Sequence, residues 1–187
     1  MTTDKQQTFT HMFGGWKEAP ARRWVNPDGS IGGIVAVDAI IPEETFIYAE
    51  SVVWPGASIG DDASIGYGAS IGYRASIGDD ASIGYGASIG DGASIGDGAS
   101  IGDGDWWLSG GPCGSRSAFW TAVFSAEHGL RWWVGCQEGI TTDYFRERVK
   151  SKHGDSEHAA DYLHAIEFVE SHPGLARARS AAARGTI

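Results

Sequence analysis

Cysteine is scarce. Cys113 and Cys136 are the only two in 187 residues, too few for a disulfide scaffold, and such an isolated pair suits a reducing compartment. No apolar run approaches the roughly 18 residues that a membrane-spanning helix needs, and the opening MTTDKQQTFTHMFGGW has no apolar h-region of a secretory signal. The expectation is a cytoplasmic protein with no membrane partner. Histidine is missing from the whole stretch between His11 and His128. Bases are almost missing from residues 35–106, where Arg74 alone faces twelve carboxylates, while the rest of the chain holds 13 bases and 12 acids. The net charge of −10 therefore resides in one segment. An apolar content of 42% with 11% aromatics still provides a core and excludes wholesale disorder.

That acidic segment is a repeat, and a repeat decides architecture before local propensity does. Isoleucine recurs every six residues from Ile59 to Ile101, and the frame extends backwards through Val53, Ile47, Ile41 and Val35. Four residues after each comes a small side chain, from Ala39, Thr45 and Ser51 through the alanines up to Ala99. Twelve hexapeptides result, over 35–106. A nine-residue period would mark a calcium-binding glycine–aspartate repeat, and regular threonine ladders would mark an ice-binding face; neither is present.

An aliphatic residue at position one and a small one at position five resemble the left-handed parallel β-helix of the hexapeptide-repeat family, best known from acyltransferases. The resemblance implies a mainly β fold in which each hexapeptide forms one side of a triangular prism and eighteen residues form one coil. Twelve hexapeptides then make about four triangular coils, each rising roughly 4.7–4.9 Å. Isoleucine fills the axis and alanine points inward near a tight corner. Serine and glycine face outward on flat walls. The two variable letters fall in corner turns, where Gly68, Gly86, Gly92, Gly98 and Gly104 supply positive φ.

Stacking at eighteen residues sorts those letters into three columns. One reads Val37-Asp38, Pro55-Gly56, Tyr73-Arg74, Asp91-Gly92. The second, Glu43-Glu44, Asp61-Asp62, Asp79-Asp80, Asp97-Gly98, is a carboxylate ladder. The third, Ala49-Glu50, Tyr67-Gly68, Tyr85-Gly86, Asp103-Gly104, carries a tyrosine stack on Tyr67 and Tyr85 above Asp103. Neighbouring carboxylates ~4.8 Å apart repel by up to ~0.9 kcal/mol per pair in water. Two charges per rung is one per ~2.4 Å, between the linear densities of single-stranded and duplex DNA. Three readings follow: acidic corners that keep a stackable solenoid from joining edge to edge, an edge that docks on a basic partner or mimics a nucleic-acid backbone, and hard oxygen ligands for a divalent cation.

Residues 1–34 read as an irregular N-terminal cap, with a turn at Asn26-Pro27-Asp28-Gly29 and with Trp16 and Trp24 covering the first coil, as solenoid ends require. After Trp106-Trp107-Leu108, SGGPCGSRS reads as a loop. Residues 107–175 then read as an α+β module: strands at 118–125 and 130–136 in a hairpin, a helix over 143–152, and a second helix from near Ser156. On that second helix Ala159, Tyr162, Leu163, Ile166 and Val169 share a face before Pro173-Gly174. Residues 176–187 read as a basic tail, frayed or weakly helical. The combination of WVNPDGSIGG, the hexapeptides, GPCGSRSAFWTAVF, LRWWVGCQEG and HGDSEHAADYLHAI resembles small β-helix proteins of phages and prophages. That resemblance implies a viral or mobile-element context, and hence a host-cell cytoplasm, but no reaction.

Candidate chemistry is thin. The acyltransferases of the hexapeptide family use a histidine in or beside the coils and an acyl donor such as coenzyme A, and the β-helical carbonic anhydrases use three zinc-binding histidines; none of these stands on the coils here. His158 and His164 are six apart, on different sides of a helix. Cys113 and His128 have nothing to bring them together as nucleophile and base, and Cys136 ends an apolar strand as a packing thiol. No catalytic residue, metal site or cofactor is expected. Ser115, Arg116 and Ser117 lie in a glycine-rich loop beside Trp106, Trp107, Trp120, Trp132 and Trp133, and could grip a nucleotide or another anion; the alternative is a linker with the tryptophans as core.

The leading expectation is a non-catalytic, phage-type protein that binds and blocks a host protein or complex with a basic surface, such as a host defence complex. It would use the edge Glu43, Glu44, Asp61, Asp62, Asp79, Asp80, Asp97, possess a second edge of Tyr67, Tyr85 and Asp103, and act as a homo-oligomer, a trimer by resemblance. Direct nucleic-acid binding is not expected of so acidic an edge. Alternatives are a nucleotide or anion sponge using the C-terminal module, and an acyltransferase relative.

Overall fold

A computed structural model of the chain describes residues 7–115 and 117–185. The fold is mainly β, with a β-solenoid of about four turns and three helices. The chain divides between Ala93 and Ser94 into two compact units.

The first unit opens with two antiparallel strands, β1 (Phe9–Phe13) and β2 (Lys17–Val25), joined through Gly14 and Gly15. The cap is thus built of strands and is not irregular. The reason is long-range: β2 pairs antiparallel with β3 (Ile31–Ala36), the first solenoid strand, and that edge templates an extended partner. Two-residue strands follow at the hexapeptide frame: β4 (Phe46–Ile47), β5 (Val52–Val53), β6 (Ser58–Ile59), β7 (Ser64–Ile65), β8 (Ser70–Ile71), β9 (Ser76–Ile77), β10 (Ser82–Ile83) and β11 (Ser88–Ile89). They form three parallel stacks. β3, β5, β8 and β11 make one, β4, β7 and β10 a second, and β6 pairs with β9 while Ile40 bridges Ser58 in the third. Each partner lies eighteen residues away, as in Ser64↔Ser82 and Ile65↔Ile83.

The inward frame is as the period predicts. Val35, Ile47, Val53 and the isoleucines from Ile59 onward are buried, with Thr45, Ser51, Ala57, Ala63, Ala69, Ala75 and Ala81; Ile41, at the same register, is half-buried. The five glycines expected at the corners all have positive φ. The ASIG glycines Gly60, Gly66 and Gly72 do more than leave a flat wall. A Cβ on Gly72 would stand 2.7 Å from the backbone nitrogen of Asp91, and one on Gly60 2.4 Å from that of Asp79. The next rung occupies the space.

The open start of the solenoid is closed by side chains. Ile47 N–H, which has no earlier rung to bond, donates to Asn26 Oδ1 at 2.8 Å, and Trp24 Nε1 donates to the Thr45 carbonyl at 2.9 Å. Asn26 is held at the expected turn, where its N–H donates to the Ser30 carbonyl. Trp24 is buried as expected, but Trp16 is 65% exposed and only leans on Trp54.

The second unit begins with two more hexapeptide strands, β12 (Ser94–Ile95) and β13 (Ser100–Ile101). It continues in an antiparallel sheet ordered β14 (Trp106–Cys113), β15 (Ala118–Ser125), β16 (Gly129–Val134), β17 (Gln137–Thr141). The expected hairpin is its middle pair. The supposed loop after Leu108 is largely strand, because β14 pairs along β15 from Trp106↔Phe124 to Cys113↔Ala118. One sheet face presents Trp120, Ala122, Phe124, Trp132 and Val134 to the helices α1 (Thr142–His153), α2 (Glu157–Ser171) and α3 (Pro173–Ala183). Helix α2 buries Ala159, Tyr162, Ala165, Ile166 and Val169, leaving Leu163 half-buried. The supposed basic tail is helix α3 to Ala183, started by Pro173 and held by fully buried Leu175. On the opposite sheet face Thr121 Oγ1 accepts from Gly96 N–H at 3.1 Å and donates to the Ser94 carbonyl. A side chain here satisfies a solenoid rung, as Asn26 does at the other end.

Candidate functional site

In the first unit the acidic column is formed as the repeat predicts. Glu43, Glu44, Asp61, Asp62, Asp79 and Asp80 are all exposed, carried by successive rungs whose strands pair in register at Ser58↔Ser76. The two letters of each corner differ in kind. Asp79 turns its carboxylate along the edge and accepts the Asp61 backbone N–H at 2.9 Å, and Asp91 does the same for Tyr73 at 2.8 Å. Asp62 and Asp80 instead take positive φ, 55° and 57°, a conformation that aspartate tolerates better than most side chains. The Asp80 N–H donates to the Asp61 carbonyl at 2.8 Å. Aspartate is thus suited to both corner positions, for two reasons that the charge count alone did not reveal.

Tyr67 and Tyr85 stack with ring centroids 5.7 Å apart and planes 7° from parallel, 47% and 61% exposed. On the remaining corner of this unit, Arg74 and Lys17 each lie 4.9 Å from the Tyr73 ring. The solenoid's single base is therefore engaged with an aromatic face.

The second unit holds Asp97 and Asp103, both exposed. Glu138 of β17 approaches Gly98, its carboxylate 2.9 Å from where a Cβ would stand; it joins the acidity beside Asp97, and no sequence signal connected the two. Asp103 lines a cavity of about 540 Å³ with Asp105, His128, Arg131 and Trp133. Burial pushes the Asp105 carboxyl above the usual carboxylate range, against the opposing pull of the Gly102 N–H bond and of His128.

The glycine-rich loop is only partly visible, since Arg116 lies outside the described residues. Ser115 and Ser117 are exposed, and Ser117 has φ 48°. Of the neighbouring tryptophans, Trp120, Trp132 and Trp133 are buried and Trp106 and Trp107 half-buried, so these rings serve mainly as core. Ser115 does line a second cavity, of about 420 Å³, with Ala118, residues 134–137, α1 and Tyr162 of α2 as its other walls.

His158 is half-buried and packs edge-on to His153, while His164 is exposed. Among the described residues no three histidine, cysteine or acidic side chains are grouped to hold a metal ion. Cys113 ends β14 and His128 sits in the β15–β16 turn, at opposite ends of the sheet. Burial, and secondarily the Asp161 charge, push the Cys113 thiol up to about 11. Cys136 is not a packing thiol: β16 ends at Val134, and Cys136 is exposed in the following turn. No helix among the described residues is long and apolar enough to cross a membrane. Neither a scan against protein-family models nor a search of curated proteins returns a match for the chain.

Proposed function

We propose that the chain is a non-catalytic binding protein that docks its acidic solenoid edge on a basic groove of a partner protein. The solenoid on this reading is a left-handed β-helix with triangular coils, in the manner of the hexapeptide-repeat family. The observation that carries the proposal is the run Glu43, Glu44, Asp61, Asp62, Asp79, Asp80, exposed on consecutive rungs of one edge. Solubility requires carboxylates anywhere on the surface; a partner that binds phosphate backbones requires them in a line at regular spacing. Pinning of Asp79 to the backbone of the rung before it gives that line a fixed geometry and lowers the entropic cost of binding. The Tyr67/Tyr85 stack adds a residue type enriched at interface cores. A phage-type protein that blocks a nucleic-acid-handling host defence complex fits this chemistry, and the flat serine walls suit close packing in a trimer.

The test is affinity capture from a bacterial lysate with the full chain and with D61N/D62N/D79N/D80N. Asparagine keeps the acceptor oxygen and the left-handed corner while removing four charges. Wild type should retain a protein with a basic surface, released by salt, and the variant should not. Equal retention by both sinks the proposal. Native mass spectrometry tests the trimer separately, a monomer being the contrary result.

A further inference from the structure

The second unit contains a cavity lined by cations. It measures about 420 Å³, within the usual range of small-ligand sites, and Arg148, Lys152 and His153 of α1 line it, with Ser115. Among the described residues no carboxylate lines it; its apolar walls include Phe145 and Tyr162, both buried. Outside residues 35–106 the chain holds 13 bases and 12 acids, so two permanent cations with no acid beside them are a local segregation of charge.

Helix electrostatics explain only part of that segregation. Cations in the last turn favour the negative helix end, which accounts for Lys150, Lys152 and His153. Arg148 lies further back, four residues before Lys152, and like charges at that spacing share one face and repel. Neither forms an ion pair among the described residues, whereas Arg146 on the same helix pairs with Glu170. Arg148 is moreover half-buried and lines the cavity with no counter-charge among the described residues, so an anion bound there would complete it. The His153 ring is held in place against Tyr162, 5.5 Å between centroids.

We infer that this cavity is a binding site for a phosphate monoester dianion, gripped by Arg148 and Lys152, with His153 and the Ser115 hydroxyl as further donors. The Arg148 fork can engage two phosphate oxygens while Lys152 acts as a point charge. The apolar walls leave room for a small organic group behind the phosphate. The site is separate from the acidic edge and stands or falls without it.

The full chain is titrated with inorganic phosphate and, in a second arm, with adenosine monophosphate, following the His153 ring resonances by NMR. Saturable shifts with either probe, weakened at least about tenfold in R148Q/K152Q, are expected. A tighter response to the nucleotide assigns the apolar walls to the ligand's organic part; equal responses assign the site to phosphate alone. K150Q, on the same helix but outside the cavity, should bind as wild type, and thermal melting shows that both variants fold. Absence of saturation with both probes up to ~10 mM overturns the inference. So does unchanged binding by R148Q/K152Q, or equal loss in K150Q.

Discussion

The Asp79 carboxylate accepts the backbone N–H of Asp61, eighteen residues earlier and one rung away. A side chain thus does at the corner what backbone carbonyls do along the walls, and one residue type serves both cohesion and charge. The two roles separate by substitution. Asp79→Ala should cost about 1 kcal/mol of stability, the usual worth of one such bond, while Asp79→Asn should cost less than half of that because it keeps the acceptor. Chemical denaturation of the two variants decides it, and equal losses would assign the effect to charge.

Close stacking of rungs makes a further distinction among glycines that look alike in the repeat. A Cβ at Gly72 would collide with the Asp91 backbone, whereas one at Gly90 meets nothing within 4 Å. Gly72→Ala should therefore destabilise by about 1–3 kcal/mol, and Gly90→Ala should be close to neutral. Matched melting temperatures would contradict the rung spacing described above.

Thr45 occupies a position that is alanine in the regular repeats, and its Oγ1 is buried without a hydrogen-bond partner. Its carbonyl already accepts from Trp24, so the hydroxyl contributes nothing that offsets its desolvation. Thr45→Val, nearly the same shape, should raise stability by about 1 kcal/mol. A loss measured in urea would mean that the hydroxyl has a partner after all.

Asp105 sets a pH dependence of known sign. Its carboxyl is raised chiefly by burial, so the folded state holds this proton more tightly than the unfolded chain does. Its contribution is favourable at low pH and is lost as pH rises from the ordinary carboxylate value through the raised one. Asp105→Asn should raise the melting temperature relative to wild type near pH ~7 and lose that advantage near pH ~3. An advantage independent of pH would exclude titration of Asp105 as the cause.

The two thiols should differ in reactivity. With its thiol pushed up to about 11 and half-buried, Cys113 is about a thousandth thiolate at pH ~8, whereas Cys136 is exposed. Iodoacetamide followed by peptide mass mapping should show Cys136 modified well before Cys113. The reverse order would contradict the placement of β14.

The six-residue period was sufficient to assign the inward frame of the solenoid, with Ile41, Ala87 and Ala93 only half-buried, because a repeat that buries one residue in six and a small one four later has a single consistent frame. It also assigned the exposed column Glu43 to Asp80 and the Tyr67/Tyr85 stack, since stacking at eighteen follows from the same period. A helix over 143–152 and a second from near Ser156, with its apolar face, were legible from local signals, and the structure has them at 142–153 and 157–171. What depended on distant partners was not legible. Residues 9–13 and 17–25 became strands because an open β edge lay nearby, and 109–113 became strand because β15 was available to pair. Leu175 turned an expected tail into a packed helix. The cavity of Ser115, Arg148, Lys152 and His153 gathers residues from a loop and a helix more than thirty positions apart. Periodicity determines which way a side chain faces; only the tertiary structure decides which other side chains it meets there, because burial and pairing between remote segments leave no mark at fixed spacing in the sequence.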